Sequence, residues 1–539
     1  MTSDSWCRVC SRGFFSCHWK RLSNSEAKCS CCWCSVVSVV TLLSLFWMYI
    51  CLVVYNDQYD FNSPNLYCSI IREAFIKLNK HFNYFMVLMT ISAVFACYCV
   101  LLLLFALVQV ALGEKLHLHW LHRIFICLGV IFIALGITGI IRCWKDEWQI
   151  VPFSLQYTAP FLQFGAVGAL ILLSWFVFQA FLKAKEGSKF LIAVVFLVVS
   201  AFILLCPLLI HSPCLINVKD LKAKPDLFGH RGAPMLAPEN TLMSFNRSAT
   251  ECNVKAFETD VQLSKDRIPF LMHDHKCEFL KRTTNITKNV SCGSQLTFDE
   301  LKTLNAGEWF VEKDPFYTVH LLTENQKNDA KMQAIPSLQE LLELAKQHNT
   351  KVIFDLYHPE HCDDIKDTVD TVDTVKTILR SGINQKLIYW LPPKNREYVK
   401  NATDFIQIYG NESEMFQENG SHLNVKYSQL TIDKIRKLQE DNIKVNLYVV
   451  NERWLFSLLW CAGASSVTTN SCQVLNEMRN PDWTMAPSVY RMIWILVDVG
   501  SILTMIGLFV YQWKTNDSRH REGRTNVLLG TKQEITSLV

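Results

Sequence analysis

Apolar residues in this chain are gathered into long blocks. Five of them, roughly residues 35–55, 84–112, 124–141, 160–182 and 190–210, come first, and a sixth, at 489–511, follows a long polar segment. Each is close to the ~20 residues that a helix needs to cross a bilayer. The pattern predicts an α-helical membrane protein with six spans. The third block is the shortest, and its ends are the hardest to place. No cleavable leader is expected, because the first block is preceded by a polar, cysteine-rich stretch and is too long for a signal-peptide core.

Between the fifth and sixth blocks the pattern changes to short apolar runs. Strand-length runs fall at 227–229, 256–261, 269–272, 351–356, 386–391, 405–409, 444–450 and 466–469. Helical spacing appears from Pro336 to Ala345 and from Thr431 to Glu440. Eight strands with interleaved helices over residues 211–488 predict a single α/β domain, a (β/α)8 TIM barrel. Two features interrupt the alternation. No helix pattern separates the second strand from the third, and residues 275–335 read as an insertion over the barrel mouth.

Charge matters here mainly by location. The net charge is only +4, and no basic patch interleaved with aromatics argues for nucleic acid. The spans hold few ionisable residues of the kind that mark a transport pathway, so they read as an anchor. Lys and Arg concentrate before the first block, around Lys183, Lys185 and Lys189, and after the sixth block at Lys514, Arg519, Arg521 and Arg524. By the positive-inside rule the N-terminus (1–34) and the tail (512–539) are cytosolic, and the barrel segment is extracellular or lumenal. Sequons at Asn246, Asn285, Asn289, Asn401, Asn411 and Asn419 all fall in that segment. A seventh, Asn516, lies in the tail and is read as chance.

Of the 21 cysteines, Cys7, Cys10, Cys17, Cys29, Cys31, Cys32 and Cys34 cluster beside basic residues before the first span. This suits reversible palmitoylation better than a zinc site. Cys277 and Cys292, in the insertion, are candidates for a disulfide. His117, His119 and His122 have no acid beside them to complete a metal site and are assigned to the membrane surface.

The candidate chemistry lies in residues 228–274. Gly229-His230-Arg231-Gly232, Glu239-Asn240-Thr241, Glu258-Thr259-Asp260 and His273-Asp274 each sit at or just beyond a short apolar run. Glu258 and Asp260, two apart on a strand, point to one side and can share a hard cation. Arg231 suits a bidentate grip on phosphate, and His230 and His273 can divide the proton transfers near neutral pH. Pro238-Glu239-Asn240-Thr241 also reads as a turn and helix cap, so Glu239 and Asn240 are either substrate contacts or loop-fixing groups. Asp274 reads as an orienting group, and Trp309 and Phe310 as core of the insertion. The run from Trp454 to Trp460 reads as packing.

Taken in this order, the motifs resemble the glycerophosphodiester phosphodiesterase family. The resemblance covers the whole outer segment, including Leu304-Asn305-Ala306-Gly307-x-Trp309-Phe310, Val449-Val450-Asn451 and Thr468-Thr469-Asn470. The flanking spans are similar to those of the six-span vertebrate members with an extracellular catalytic domain. Ser212-Pro213-Cys214 and the Trp454-to-Gly463 run also fit that subgroup.

The resemblance implies a divalent ion, Ca2+ or Mg2+, on Glu258, Asp260 and Asp355, with Arg231, Glu239, Asn240 and Tyr357 towards substrate. It implies glycerophosphodiester or lipid-headgroup substrates such as glycerophosphoinositol, lipid-anchored surface proteins as further targets, and a plasma-membrane location. One departure stands out. The wider family has Glu followed two residues later by Lys where this chain has Asp355-Leu356-Tyr357. A weakly catalytic headgroup-binding protein is the alternative that this departure favours.

Overall fold

The computed structural model describes residues 30–55, 84–111, 118–143, 150–273, 280–286, 293–356 and 367–536. Among them, six helices are long and apolar enough to cross a membrane: Ser30–Val54, Tyr84–Ala111, Trp120–Cys143, Ile150–Lys183, Glu186–Leu205 and Pro487–Thr536. They correspond to the six apolar blocks, with two boundaries clearly displaced: the last helix runs on to Thr536, past the expected end at residue 511, and the fourth starts early. The fourth helix begins at Ile150, ten residues before the expected start, and carries Pro160 in its interior. Proline is tolerated there because neighbouring helices can re-satisfy the freed backbone groups. The extra turns are used for packing: Tyr157 lies 6.0 Å from Trp454 and 5.5 Å from Trp483, ring to ring. The barrel's flank therefore rests on the N-terminal end of the fourth helix, and Trp454 to Trp460 serves packing as expected.

Among the described residues, nine strands form the domain between the fifth and sixth helices: β1 Asp226–His230, β2 Ala256–Leu263, β3 Pro269–Leu271, β4 Lys351–Leu356, β5 Ile388–Trp390, β6 Ile406–Gln407, β7 His422–Lys426, β8 Lys444–Tyr448 and β9 Ser466–Thr469. Eight are parallel neighbours in the order β6-β5-β4-β2-β1-β9-β8-β7. The ends of this path meet where Tyr409 N donates to His422 O at 3.0 Å and Asn424 N to Tyr409 O at 2.8 Å. The barrel is thus nearly closed. Apolar helix faces cover its outside, for example Leu338, Leu341, Leu342 and Ala345, all on one stripe of Leu338–His348. Ser337 and Glu340 start that helix as a capping box.

Two strand expectations are corrected. The run 269–272 is not a barrel strand: β3 pairs antiparallel with β2, Val261 opposite Leu271 and Leu263 opposite Pro269. A tight turn makes this possible, with Arg267 at φ 65° and Ser264 N bonded to Ile268 O. Hence no helix separates the two. The eighth barrel strand is β7, which hides in sequence because His422-Leu423-Asn424-Val425-Lys426 alternates polar and apolar in a context of buried strands.

The insertion is built of short helices, Phe298–Lys302, Glu308–Lys313 and Glu324–Lys331 among them. Trp309 and Phe310 are buried there with Val319, Leu322 and Ala330, as core. Cys277 and Cys292 lie outside the described residues, as do Cys7, Cys10, Cys17, Cys29, His117, Asp274, Tyr357 and Asn289. Among the described residues two disulfides are present, Cys214–Cys461 and Cys252–Cys472.

Candidate active site

The chain turns sharply after β1. Arg231 (φ 53°) and Gly232 (φ 92°) are both left-handed, and Gly232 N returns to Gly229 O. A Cβ on Gly232 would lie 2.4 Å from Ser244 Oγ and 2.7 Å from the Ser244 carbonyl carbon, so only glycine fits. The turn leaves His230 in register with Glu258 on β2, its Nε2 3.9 Å from Glu258 Oε2. It also aims the Arg231 amide at the same carboxylate oxygen, 2.9 Å away.

His230 is fixed from its other side. Its Nδ1 lies 2.7 Å from Asn470 Oδ1, and Asn470 is itself held by its backbone amide donating to Asn451 Oδ1 at 2.9 Å. A carbonyl oxygen can only accept, so Nδ1 carries the proton and Nε2 presents a lone pair to the site. Burial, followed by the Arg231 charge, pushes the His230 pKa down to about 3.

Arg231 reaches Glu239 Oε1 through Nη1 at 3.2 Å, and its Nε stands 3.5 Å from Asp260 Oδ2. Glu239 also receives Arg282, which reaches it from the insertion and lies over the Trp309 ring at 5.3 Å. Burial opposes charge on Glu239, but Arg282 and Arg231 hold its pKa well below the usual carboxylate range. Asn240 donates to Asp260 Oδ2 at 3.2 Å and accepts from Thr259 Oγ1 at 2.8 Å. Thr241 caps the following helix, Leu242–Thr250. Glu239 and Asn240 therefore spend their polar groups on the network that fixes the loop and its acids.

Asp260 and Asp355 are register partners on β2 and β4, one step towards the mouth from Glu258. Burial and the Asp260 charge push Asp355 up to about 7, and the same two causes raise Glu258 well above its usual range. Three oxygen-donor acids thus crowd one end of the barrel, and two of them are driven towards the neutral form by burial and by Asp260. A divalent cation would remove that conflict, and its preferred ligands are oxygens. Among the described residues, no three His, Cys, Asp or Glu side chains are yet drawn together as an ion would hold them. The donor set fits the ion in kind.

His273 follows β3, whose hairpin returns it to the mouth: Met272 N bonds Asp260 O at 3.0 Å. Its charge acts on His230, Glu239 and Asp355. A small cleft of about 20 Å3 lies between Glu239, Asn240, His273 and the insertion residues Thr283, Ala306 and Ile335. Three residues have no role assigned from sequence. Asn470 stands inside a quoted motif, Arg282 has no local signal, and Tyr448 ends β8 close enough for Asp355 and Glu258 to help raise its pKa, after burial. Of the six sequons, Asn246, Asn401, Asn411 and Asn419 are exposed on the barrel and Asn285 on the insertion.

The model of the Glycerophosphoryl diester phosphodiesterase family matches residues 230–474, from the His230 turn past Asn470. The mouse protein named glycerophosphoinositol inositolphosphodiesterase is 40% identical over 98% of this chain and 97% of its own length. Chicken glycerophosphodiester phosphodiesterase domain-containing protein 5 is 37% identical over 95% of this chain and 85% of its own. A solved structure from Silicibacter pomeroyi, a putative glycerophosphoryl diester phosphodiesterase, covers 50% of this chain and 98% of its own at 18% identity, with a TM-score of 0.41. Identity at this level across spans and barrel alike shows that the chain belongs to the glycerophosphoryl diester phosphodiesterase family.

Proposed function

We propose that this chain is a metal-dependent ectoenzyme of the plasma membrane that hydrolyses glycerophosphodiesters, with glycerophosphoinositol as the first candidate. The observation that carries the reading is His230: neutral, locked by Asn470 through Nδ1, and presenting Nε2 beside Glu258. That is the arrangement of a general base. Nε2 takes the proton of the attacking water or neighbouring substrate hydroxyl, and His273, across the mouth, returns a proton to the leaving alcohol. Arg231 binds a phosphate oxygen, and the Glu239–Arg282 contact keeps its guanidinium in place. Lys426, ending β7 in register with Tyr448, adds a cation at the mouth in place of the lysine missing two residues after Asp355. Glu258, Asp260 and Asp355 would hold Ca2+ or Mg2+, which supplies charge neutralisation on the phosphate. Tyr357, beyond the described residues, is kept as a substrate contact.

The exposed sequons and the two barrel disulfides support an extracellular barrel with both termini cytosolic. The packing of the barrel on the fourth membrane helix keeps the domain near lipid headgroups, which favours a second substrate class, the glycan-phosphate linkage of lipid-anchored surface proteins.

The test is hydrolysis of a glycerophosphodiester panel by purified full-length protein with Ca2+, Mg2+ or chelator. Metal-dependent turnover should fall by about 10²–10⁴ in His230→Ala and be lost in Glu258→Ala. Folded protein that turns over neither soluble diesters nor lipid-anchored proteins would sink the catalytic reading and leave a headgroup-binding protein.

A further inference from the structure

The opposite end of the barrel holds a second, larger cavity of about 230 Å3. Its lining opens strands where the catalytic residues end them: Asp226 begins β1, Lys351 begins β4, His422 begins β7 and Lys444 begins β8. Strands of five to eight residues, at ~3.3 Å per residue, keep it well apart from the catalytic mouth.

This end of the barrel is hollow for a reason that can be read from side chains. TIM-barrel interiors are usually filled by bulky aliphatics. Here Phe228, Ala256, Ile353, Tyr389 and Ile408 fill one side in that way. The other side is polar: Asn446 Nδ2 donates to Asn424 Oδ1 at 2.6 Å and to Thr468 Oγ1 at 2.9 Å, and Ser466 donates to Asn446 Oδ1 at 2.8 Å. These groups satisfy one another and leave space above them.

Positive charge converges on that space. Lys351 is steered inward by Tyr389, donating to its hydroxyl at 2.7 Å and lying 4.8 Å from its ring centre. Lys444 stands at the exposed rim. His422 lies against Tyr389 at 5.6 Å between rings, and both lysine charges bear on it. Burial first, then Lys444 and Lys351, push its pKa down to about 4, so at neutral pH it is an uncharged imidazole able to donate one hydrogen bond. Asp226 is the one carboxylate in the lining. Two ammonium groups against one carboxylate leave a net positive charge that favours an anion, and the carboxylate, with Ser465 and Ser466 in the lining, suits hydroxyl groups on the same ligand. The volume is below the ~300–1,000 Å3 of sites for drug-sized ligands.

We propose that this cavity is a binding site for a small phosphate-bearing anion, inorganic phosphate or the phosphomonoester of a short polyol, held by Lys351 and Lys444 with Tyr389 and His422. The site is independent of the catalytic centre and is tested by binding rather than turnover. Purified full-length protein in detergent is titrated with inorganic phosphate and with glycerol 3-phosphate at constant ionic strength, and thermal midpoint and heat are read. The wild type and His230→Ala should both respond saturably. Lys351→Met combined with Lys444→Gln should weaken binding at least about tenfold, and Lys444→Gln alone, a change at the exposed rim that spares the core, should weaken it several-fold. Tighter binding of the ester assigns the ligand to phosphorylated polyols, and tighter binding of phosphate assigns it to the free ion; either order supports the site. An absent response in wild type, a response untouched by Lys444→Gln, or one lost only in His230→Ala would overturn it.

Discussion

At the barrel mouth His230, Arg231, Glu239 and Asn240 are each held by a neighbour that sets what they can do. His230 presents Nε2 because Asn470 occupies Nδ1. Asn470→Ala should therefore lower kcat by about 10–100-fold while KM moves little, since geometry of the base is lost and substrate contacts are kept. A comparable rise in KM would mark Asn470 as a binding residue instead. Asp355 offers a thermodynamic check. Its carboxyl is raised from 3.8 to about 7 in the fold, so the folded state binds the proton more tightly than the unfolded chain does. Stability from this group is complete below pH 3.8 and is lost as pH rises through 7. In chelator, the margin by which the melting temperature of Asp355→Asn exceeds that of wild type should grow by a few degrees from pH 4 to pH 7 and stay level at pH 8. Divalent ion should reverse the order at pH 8, because ionised Asp355 is the form that binds it. Equal melting curves across the range would remove the electrostatic conflict from which the cation site is argued.

At the scale of elements, the His230–Gly232 turn and the β2–β3 hairpin do most of the assembly. The turn sends the chain back over Ser244, at the start of the helix Leu242–Thr250. Gly232→Ala would place a methyl against Ser244 with φ still positive, and should cost about 2–4 kcal/mol with activity falling in the same variant. A melting temperature within a degree of wild type would show that the turn can relax. The hairpin explains the missing helix between the second and third predicted strands. It also explains how His273, beyond an antiparallel strand, reaches the same mouth as residues that end parallel strands. The helix capped by Ser337 follows its expected spacing closely, because capping residues and apolar stripe agree there. β7 does not show itself in this way, because its Asn424 belongs to the polar side of the barrel interior and breaks the apolar run by which buried strands are recognised.

For the whole molecule, membrane helices and barrel are joined by more than chain continuity. Cys214, just beyond the fifth membrane helix, is bonded to Cys461 across 247 residues. Met485 N bonds Cys214 O, which ties in the segment leading to the last membrane helix. Closing so long a loop is worth roughly 2–5 kcal/mol. Cys214→Ser with Cys461→Ser should lower the melting temperature of the barrel by several degrees, and reductant should do the same to wild type. A double variant as stable as wild type in oxidising buffer would show that the aromatic contact of Tyr157 with Trp454 and Trp483 suffices to hold the domain.

The sequence by itself determined the six spans, the barrel class and the ordered acids and histidines, because these depend on local signals: block length, strand-to-helix alternation, and short motifs at strand ends. Composition and loop charge add an anchoring role and an orientation as expectations. Only the tertiary structure decided which strand turns back, which cysteines pair, that Glu239 serves two arginines, and that the far end of the barrel is a basic cavity. Arg282 meets Glu239 from 43 residues away, and Lys351 and Lys444 converge from opposite sides of the barrel. Pairings of that kind come from the closure of the sheet, and no local pattern in the chain encodes them.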